Sequence, residues 1–282
     1  MFRIHTILSF ILLSITAKAA TDQPKSATDQ PKSCDTTGTC VDFTVAIIGA
    51  GRMGTHLAAT YADAGIDVSL LSRDPTKSLD IITALLSGVG WEKKGIQLPP
   101  STVTDTSHWT LKSGGYAEAV NADVIVLAVP FRTNYRKKWY ETNVIEVLKP
   151  IIGGHSKYIV DINNPWIIGT GLPAEGPQSS VEVNAALLGD ATAKWCAGYK
   201  TIFWHDLLPG RKKNHIAKNS PVEIAGDVEC KKKLSMLIQA HGFNVKDEGG
   251  FEKAKLLEWM FNSRTRRPVR VHSRDRMMMD GF

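Results

Sequence analysis

The segment Val45-Ala-Ile-Ile-Gly-Ala-Gly-Arg-Met-Gly54 decides the fold, because an apolar, mostly β-branched run ends directly in the pattern G-x-G-x-x-G. The helical pattern of Thr55–Ala64 follows and ends at Gly65, and a second apolar run, Val68–Leu71, leads into Ser72-Arg73. A strand, a glycine turn, a helix and a second strand within about 30 residues are the first half of a dinucleotide-binding fold.

Each of the three glycines in this pattern has a physical role. Gly49 permits the tight turn that leaves the strand, Gly51 lets the backbone approach a pyrophosphate, and Gly54 lets the helix pack closely on the sheet. The N–H groups of the first helical turn then face the phosphates, helped by the helix dipole. The alternative is a turn that only joins strand to helix, and the presence of both flanking elements favours dinucleotide binding over it.

The end of the second strand indicates which dinucleotide is bound. Enzymes that use NAD usually place Asp or Glu there, where the carboxylate bonds the ribose 2′-hydroxyl. This chain has Ser72 and Arg73 instead, and a guanidinium offers a planar fork to the oxygens of a 2′-phosphate. The sequence therefore predicts NADP(H) over NAD(H), although an arginine here could also be an ordinary surface residue of a βα loop.

The remaining pattern alternates strands with helices, which predicts a doubly wound, mostly parallel α/β sheet over residues 42–262. The predicted strands are Asp42–Ile48, Val68–Leu71, Asp123–Val129, Tyr158–Ile162, Lys194–Ile202, Pro221–Gly226 and Phe243–Val245. The predicted helices are Thr55–Ala64, Leu79–Leu86, Tyr116–Asn121, Tyr140–Lys149, Ser180–Leu188, Glu229–His241 and Glu252–Phe261. The segment Gly88–Gly115 is rich in Gly, Pro and Thr, and we expect it to be an irregular surface excursion.

The first 20 residues are typical of a signal peptide or anchor. Arg3 supplies a positive charge, Ile7–Ala17 is apolar, and Ala17-Lys-Ala19 is a cleavage pattern of small residues. This leader predicts the secretory pathway, and a membrane-anchored or a cytoplasmic protein is the alternative.

Residues 21–41 form a polar linker that contains most of a tandem heptapeptide, Ala20–Ser26 and Ala27–Ser33. Such a sequence cannot bury a core. Cys34 and Cys40 follow the repeat and could close a small loop in an oxidising compartment.

The net charge of +6 is concentrated at the carboxyl end of the chain. Residues 264–282 hold six Arg and two Asp, a charge of +4, and we expect residues 263–282 to be a disordered basic tail. The folded body is therefore nearly neutral, and we expect no nucleic-acid partner. A homodimer is an oligomeric state that the sequence leaves open.

Other residues with chemical potential have simpler interpretations. Cys196 lies in a strand-like run and Cys230 opens a helical segment, so both are interpreted as structural thiols. The pair His205-Asp206 could relay protons, but its place near Pro209 favours polar loop residues. The histidines lack metal-ligand spacing, and we predict neither a catalytic side chain nor a metal site.

Several segments together resemble a known family, the deazaflavin-dependent NADP reductases, and equally the cytosolic reductase domain of the six-transmembrane epithelial antigen metalloreductases. The resemblance covers roughly Phe43 to Trp259, and parts of it are shared with the N-terminal domain of pyrroline-5-carboxylate reductases. The segments are the glycine turn, Ser72-Arg73, Ala128–Phe131, Asp161-Ile-Asn-Asn-Pro165, Gly249–Ala254 and Leu257-Glu258.

The resemblance implies NADPH bound by the turn and by the ends of neighbouring strands. The implied contacts are Gly49, Ala50, Gly51, Arg52, Met53 and Gly54 in the turn, then Ser72, Arg73, Val129, Pro130, Phe131 and Asn163. It also implies direct hydride transfer to a small-molecule or flavin-type acceptor, with FAD, FMN or a deazaflavin as candidates. Such transfer needs no protein nucleophile and no metal, because the protein supplies position and electrostatics.

This chain departs from the family at the acceptor side. Members of the resembled family carry Lys-x-Phe-Asn where this chain has Ala197-Gly-Tyr-Lys200, so the Asn is lost. The pair Trp204-His205 follows, close to the sequence position at which the metalloreductases carry a Trp that stacks on the flavin. The haem-bearing membrane domain of the metalloreductases is not matched, so metal reduction through haem is not carried over. Two alternatives therefore remain, an imine reductase of the pyrroline-5-carboxylate type and a non-catalytic NADP-binding or sensing module.

Overall fold

The computed structural model describes residues 41–87, 105–129, 132–134, 139–141, 144–164, 166–167, 172–173, 178–202 and 221–258. The predicted leader, almost all of the tandem linker, and Cys34 and Cys40 lie outside the described residues. So do Pro130, Phe131, the pair His205-Asp206 and the predicted basic tail.

The main sheet of the described chain contains eight strands, six of which are parallel. The strands, numbered along the chain, are β1 (Val45–Ile48), β2 (Val68–Leu71), β3 (Leu111–Gly114), β4 (Val124–Leu127), β7 (Tyr158–Asp161), β10 (Lys194–Ala197), β11 (Val222–Gly226) and β12 (Val245–Asp247). Their spatial order is β3-β2-β1-β4-β7-β10-β11-β12, with β11 antiparallel to β10 and parallel to β12. Two small antiparallel pairs lie outside this sheet, β5 (Arg132–Asn134) with β6 (Trp139–Glu141) and β8 (Trp166–Ile167) with β9 (Leu172–Pro173).

Helices cover both faces of the sheet, so the predicted doubly wound, mostly parallel α/β fold is confirmed. The α-helices are α1 (Arg52–Asp63), α2 (Pro75–Ser87), α3 (Val144–Ile152), α4 (Ser180–Leu188) and α5 (Val228–Ala240). Two 3-10 helices, Tyr116–Asn121 and Phe251–Lys253, complete the described helices, and residues 254–258 continue the second one as an α-helical turn.

Strands β1 and β4 are apolar at every position because both of their faces are buried. Successive side chains of a strand point to opposite faces. Ile47 of β1 accordingly joins the apolar cluster that contains Leu57 of α1, whereas Ile48 joins the other cluster, with Ile145 of α3. All four residues of β1 are at most 1% exposed, which explains why its sequence shows no polar alternation.

The chain reverses its direction of winding between two neighbouring strands. From β1 it moves outward through β2 to β3, and it then crosses back to β4 and continues through β7 to β10. Ligands of open α/β sheets bind in the crevice at the carboxyl ends of the strands where this reversal occurs. The crevice lies between the ends of β1 and β4.

Several predicted elements differ from the structure, among them the last strand, which spans Val245–Asp247 and not Phe243–Val245. Leu111–Gly114 is an edge strand and not part of an irregular excursion. Its sequence, Leu-Lys-Ser-Gly, has no strand pattern, and the segment is a strand because its backbone pairs with β2. The helix predicted for Tyr140–Lys149 begins at Val144, since Trp139–Glu141 pairs with β5. The strand predicted for Lys194–Ile202 ends at Ala197, and Tyr199 adopts a left-handed backbone with φ 54°.

Cys196 and Cys230, which the sequence indicates to be structural thiols, form a disulfide with each other. Their Cα atoms are 5.7 Å apart, a separation that a disulfide spans readily. Both residues are fully buried, and the bond joins β10 to the first turn of α5. The sequence does not predict this pairing because 34 positions separate the two residues.

Replacing both cysteines by alanine, Cys196→Ala with Cys230→Ala, should lower the free energy of unfolding by about 2–4 kcal/mol, since a disulfide restricts the unfolded chain. Denaturant unfolding with and without dithiothreitol measures this. Reductant should destabilise the unaltered protein more than the double variant. A bond between Cys34 and Cys40 would close a much shorter loop, so the matched control Cys34→Ala with Cys40→Ala should have a smaller effect. Equal stability of oxidised and reduced protein would contradict the assignment.

Candidate nucleotide-binding site

The turn after β1 has a backbone that only glycine adopts easily. Gly49 has φ 116°, and a Cβ atom there would lie 2.6 Å from the carbonyl oxygen of Ala128, which follows β4. Its N–H donates to the carbonyl of Leu71, the last residue of β2, at 2.8 Å. The turn is thereby held between the ends of β2 and β4.

The other two glycines of the pattern have opposite surroundings. At Gly54 a Cβ atom would overlap the carbonyl oxygen of Gly49, so a side chain there would push α1 away from the strand. At Gly51 no described heavy atom lies within 4 Å of the position that a Cβ atom would take. The structure thus has close packing where the helix meets the sheet and open space where a pyrophosphate was predicted.

The amino terminus of α1 also lacks the kind of side-chain cap that α4 and α5 have. Ser179 accepts a hydrogen bond from the backbone N–H of Glu182 in α4, and Asp227 does the same for the first turn of α5. At α1 the capping position is Gly51, and the first turn contains no acidic residue. Backbone N–H groups that no side chain caps, together with the helix dipole, are the features of an anion-binding helix end.

Ser72 and Arg73 are placed very differently. Ser72 is buried, and its hydroxyl donates to the carbonyl of Asp74 within the same loop. Arg73 is exposed and lies beside Tyr116. Burial raises the pKa of the Tyr116 hydroxyl, and the charge of Arg73 and a backbone hydrogen bond with Arg73 act in the opposite direction. Arg73 is therefore the exposed member of the pair, and Tyr116 is a neighbour that the sequence did not predict.

The carboxylate that follows Arg73 in the sequence is used within the protein. Asp74 precedes Pro75, the first residue of α2, and its Oδ1 accepts a hydrogen bond from the backbone N–H of Thr76 at 3.0 Å. This is the geometry of a helix cap, with proline at the first helical position. The carboxylate thus does not take the place of the ribose-binding Asp or Glu at the strand end.

Two further predicted residues lie at the ends of neighbouring strands. Val129 follows β4, is partly exposed and borders the glycine turn, with its Cγ1 3.0 Å from the position of a Cβ at Gly49. Asn163 follows β7 and is 6% exposed. Its Nδ2 donor has no hydrogen-bond partner among the described residues. A buried donor without a partner costs about 1–3 kcal/mol, and this one lies at a position where the sequence predicts a cofactor contact.

Reasoning from the sequence missed a buried cation next to Asn163. Lys200, the residue that stands where relatives carry Asn, is fully buried. Its Nζ lies 3.3 Å from Oδ1 of Asp161 and 3.4 Å from Oε1 of Glu258. Asp161 and Glu258 belong to two of the segments that carry the family resemblance. Their presence in those segments was the signal in the sequence that could have pointed to this cluster. The charge of Lys200 is therefore compensated within the fold.

The described residues offer no metal site, since no group of three or more His, Cys, Asp or Glu could hold an ion there. Within the same residues no helix is long and apolar enough to cross a membrane.

A comparison with known protein families finds a match for the first part of this domain. Residues 44–150 match the family described as 3-hydroxyacyl-CoA dehydrogenase, NAD binding domain. Two glycerol-3-phosphate dehydrogenases [NAD(P)+] are similar to this chain over stretches somewhat shorter than the family match. The one from Corynebacterium diphtheriae is 37% identical over 89 residues, which is 32% of this chain and 24% of the relative. The one from Bradyrhizobium sp. is 36% identical over 87 residues, 31% of this chain and 23% of the relative. The similarity thus spans about a quarter of each dehydrogenase.

Solved structures share the fold over a longer stretch. A provisionally assigned F420-dependent NADP-reductase from Arthrobacter sp. has a TM-score of 0.56 at 20% identity, covering 78% of this chain and 91% of the other. A reductive aminase from Aspergillus terreus, solved with NADPH and ethyl levulinate, has a TM-score of 0.50 at 14% identity, covering 79% of this chain and 60% of the other. At these identities the likeness concerns the fold. The matches support an NAD(P)-binding Rossmann-type domain of an oxidoreductase and leave the acceptor unspecified.

The variant Gly51→Val should abolish NADP(H) binding and leave the fold intact. The branched side chain would fill the open space before α1, and the backbone of Gly51, with φ −91° and ψ −171°, suits a β-branched residue. Titration calorimetry and circular dichroism measure the two effects. The matched variant Gly54→Val should instead destabilise the fold, because its side chain meets the Gly49 carbonyl. Full affinity in Gly51→Val would place the phosphates elsewhere.

Proposed function

We propose that this protein is an NADPH-dependent oxidoreductase that transfers hydride between NADP(H) and a flavin-type acceptor. The observation that carries the proposal is the uncapped amino terminus of α1, which faces open space at the point where the winding of the sheet reverses. That arrangement provides backbone donors for a pyrophosphate at the position where α/β sheets bind nucleotides.

The choice of NADP over NAD rests on the residues after β2. Arg73 is exposed there, and Asp74 caps α2. A guanidinium favours a 2′-phosphate, which a free carboxylate would repel. Tyr116 lies beside Arg73 and adds a hydroxyl to the same end of the sheet.

The chain's own residues hold and orient the cofactor in this proposal. NADPH, when bound, supplies the hydride. The glycine turn and Arg73 bind phosphate groups, and the unpartnered Nδ2 of Asn163 donates to an oxygen of the cofactor's other half. Correct placement of two reactants is itself a large part of catalysis, so no acid, base or nucleophile is required of the protein.

Two measurements test the proposal. Calorimetric titration with NADP⁺, NAD⁺, FAD and FMN should give tighter binding of NADP⁺ than of NAD⁺. Oxidation of NADPH should then proceed with FAD, FMN or a deazaflavin. Turnover with a cyclic imine in place of flavins would favour the pyrroline-5-carboxylate type of reductase. Binding without turnover of any acceptor would favour a sensing module.

The variant Arg73→Ala should weaken NADPH binding by about 1.5–3 kcal/mol, the range for a hydrogen bond to a charged group, and leave NADH nearly unchanged. Calorimetry at constant ionic strength measures both affinities. Lys112→Ala is the matched control, because it removes an exposed positive charge from the neighbouring strand β3. An equal loss for both cofactors in Arg73→Ala would show that the side chain does not bind the 2′-phosphate.

We also propose that the protein is exported, because the predicted leader is accompanied by a buried disulfide in the domain. Disulfides persist in oxidising compartments and are rare in the cytosol. Mass spectrometry of protein from a secreting host should show cleavage after Ala19 or Ala20 and a Cys34–Cys40 bond. A shorter chain beginning at Asp42 should bind NADP⁺ equally well. An uncleaved product with free Cys34 and Cys40 would contradict export.

A further inference from the structure

A cluster of buried polar groups joins four separate parts of the fold beside the candidate site. We name it the Lys200 cluster, and it consists of Lys200, Asp161, Ser180, Glu258 and the carbonyl of Asn163. All of its side chains are at most 1% exposed. They come from the end of β7, the start of α4, the segment after β10 and the helical residues 254–258.

The ammonium group of Lys200 is saturated by the protein itself. Its Nζ lies 2.7 Å from Oγ of Ser180, hydrogen-bonds to the carbonyl of Asn163, and contacts the carboxylates of Asp161 and Glu258. An ammonium group has three donors, and four oxygens surround it here. Lys200 therefore has no donor left for a ligand, and any effect on one must act through a neighbour.

The partners of Lys200 are themselves tied to one another. The backbone N–H of Ser180 donates to Oε1 of Glu258 at 2.8 Å, and Nδ2 of Asn184 donates to Oδ2 of Asp161 at 2.8 Å. The carbonyl of Lys200 accepts from Nδ2 of Asn164 at 2.7 Å. Removal of one member therefore loosens the contact between the loop after β7 and α4.

Asn163 is the point at which this cluster meets the candidate site. Its backbone is held on both sides, because its N–H donates to Oδ1 of Asp161 at 2.8 Å and its carbonyl accepts from Lys200 and from Ser180. Its buried side-chain donor Nδ2 has no partner among the described residues. The cluster thus holds the backbone in place and leaves one donor for a ligand.

We propose that Lys200 is a positioning residue for the cofactor, acting through Asn163. It holds the Asn163 carbonyl against α4 and so orients the free Nδ2 toward an oxygen of the nicotinamide half of the bound dinucleotide. The inference rests on the proposed function, because it assumes that the dinucleotide binds at this edge of the sheet. It assigns a role to the residue that distinguishes this chain from the family pattern.

A double-mutant cycle on the dissociation constant of NADP⁺ tests this role. The variants are Asn163→Ala, the pair Lys200→Met with Glu258→Gln, and all three changes together. The Glu258 change is included because Lys200→Met alone removes the cation shared by two buried carboxylates and leaves only Lys255, 3.4 Å from Oε2 of Glu258, beside them. We expect about tenfold weaker binding from Asn163→Ala and from the pair, as for one lost hydrogen bond, and no further loss when they are combined.

Lys231→Met is the matched control. Lys231 is 8% exposed, and its Nζ lies 2.7 Å from Oδ1 of Asp247. Its partners, Asp247 in β12 and the carbonyl of Gly249, lie at the edge of the sheet that β12 forms. This variant should lower the melting temperature without changing the dissociation constant of NADP⁺. Its effects should add independently to those of Asn163→Ala. The control separates a general loss of stability from a loss of positioning.

The outcomes distinguish the inference from the function on which it rests. Failure of the unaltered protein to bind NADP⁺ would overturn the proposed function. Binding that the Lys200 pair leaves unchanged, or losses that multiply in the combined variant, would overturn the positioning role alone. An unaffected Asn163→Ala would do the same. Where the Lys200 pair does not fold, Ser180→Ala takes its place in the cycle, since it removes one partner of both Lys200 and the Asn163 carbonyl.

Discussion

The close approach of α1 to β1 determines where everything else in this domain lies. Gly54 packs against the carbonyl of Gly49 with no room for a side chain, and Gly49 in turn is held by a backbone hydrogen bond to β2 and packs against the chain that leaves β4. This contact aims the first turn of α1 into the crevice between the two halves of the sheet. The open space at Gly51 then follows as the place where a phosphate group can meet backbone donors.

Charge is distributed around this crevice in two different ways. On the side of β2, the positively charged side chain of Arg73 is exposed and the neighbouring carboxylate of Asp74 caps α2. On the side of β7, the charges of Lys200, Asp161 and Glu258 are buried and paired with one another. The first side is suited to bind an anion, and the second is suited to hold backbone and side chains in place.

Most of the fold could be predicted because its elements are encoded locally. Buried strands such as β4 are continuous apolar runs, and α4 has a complete capping box at Ser179 and Glu182. Gly242, which has a positive φ, ends the turn that follows α5. The errors fell where no local signal exists. The edge strand β3 has few apolar residues to mark it. It is a strand because its backbone groups pair with those of β2. That pairing joins residues that are distant in the sequence.

The sequence by itself determined the βαβ unit, the order of the main strands and helices, and the expectation of NADP at Ser72 and Arg73. These depend on periodicity and on residue types at short spacing. Only the tertiary structure decided that Arg73 and not Ser72 is exposed, that Cys196 pairs with Cys230, and that Lys200 is compensated by two carboxylates. Each of these involves burial or a partner remote in sequence, and a charge or thiol has no local pattern that names its partner.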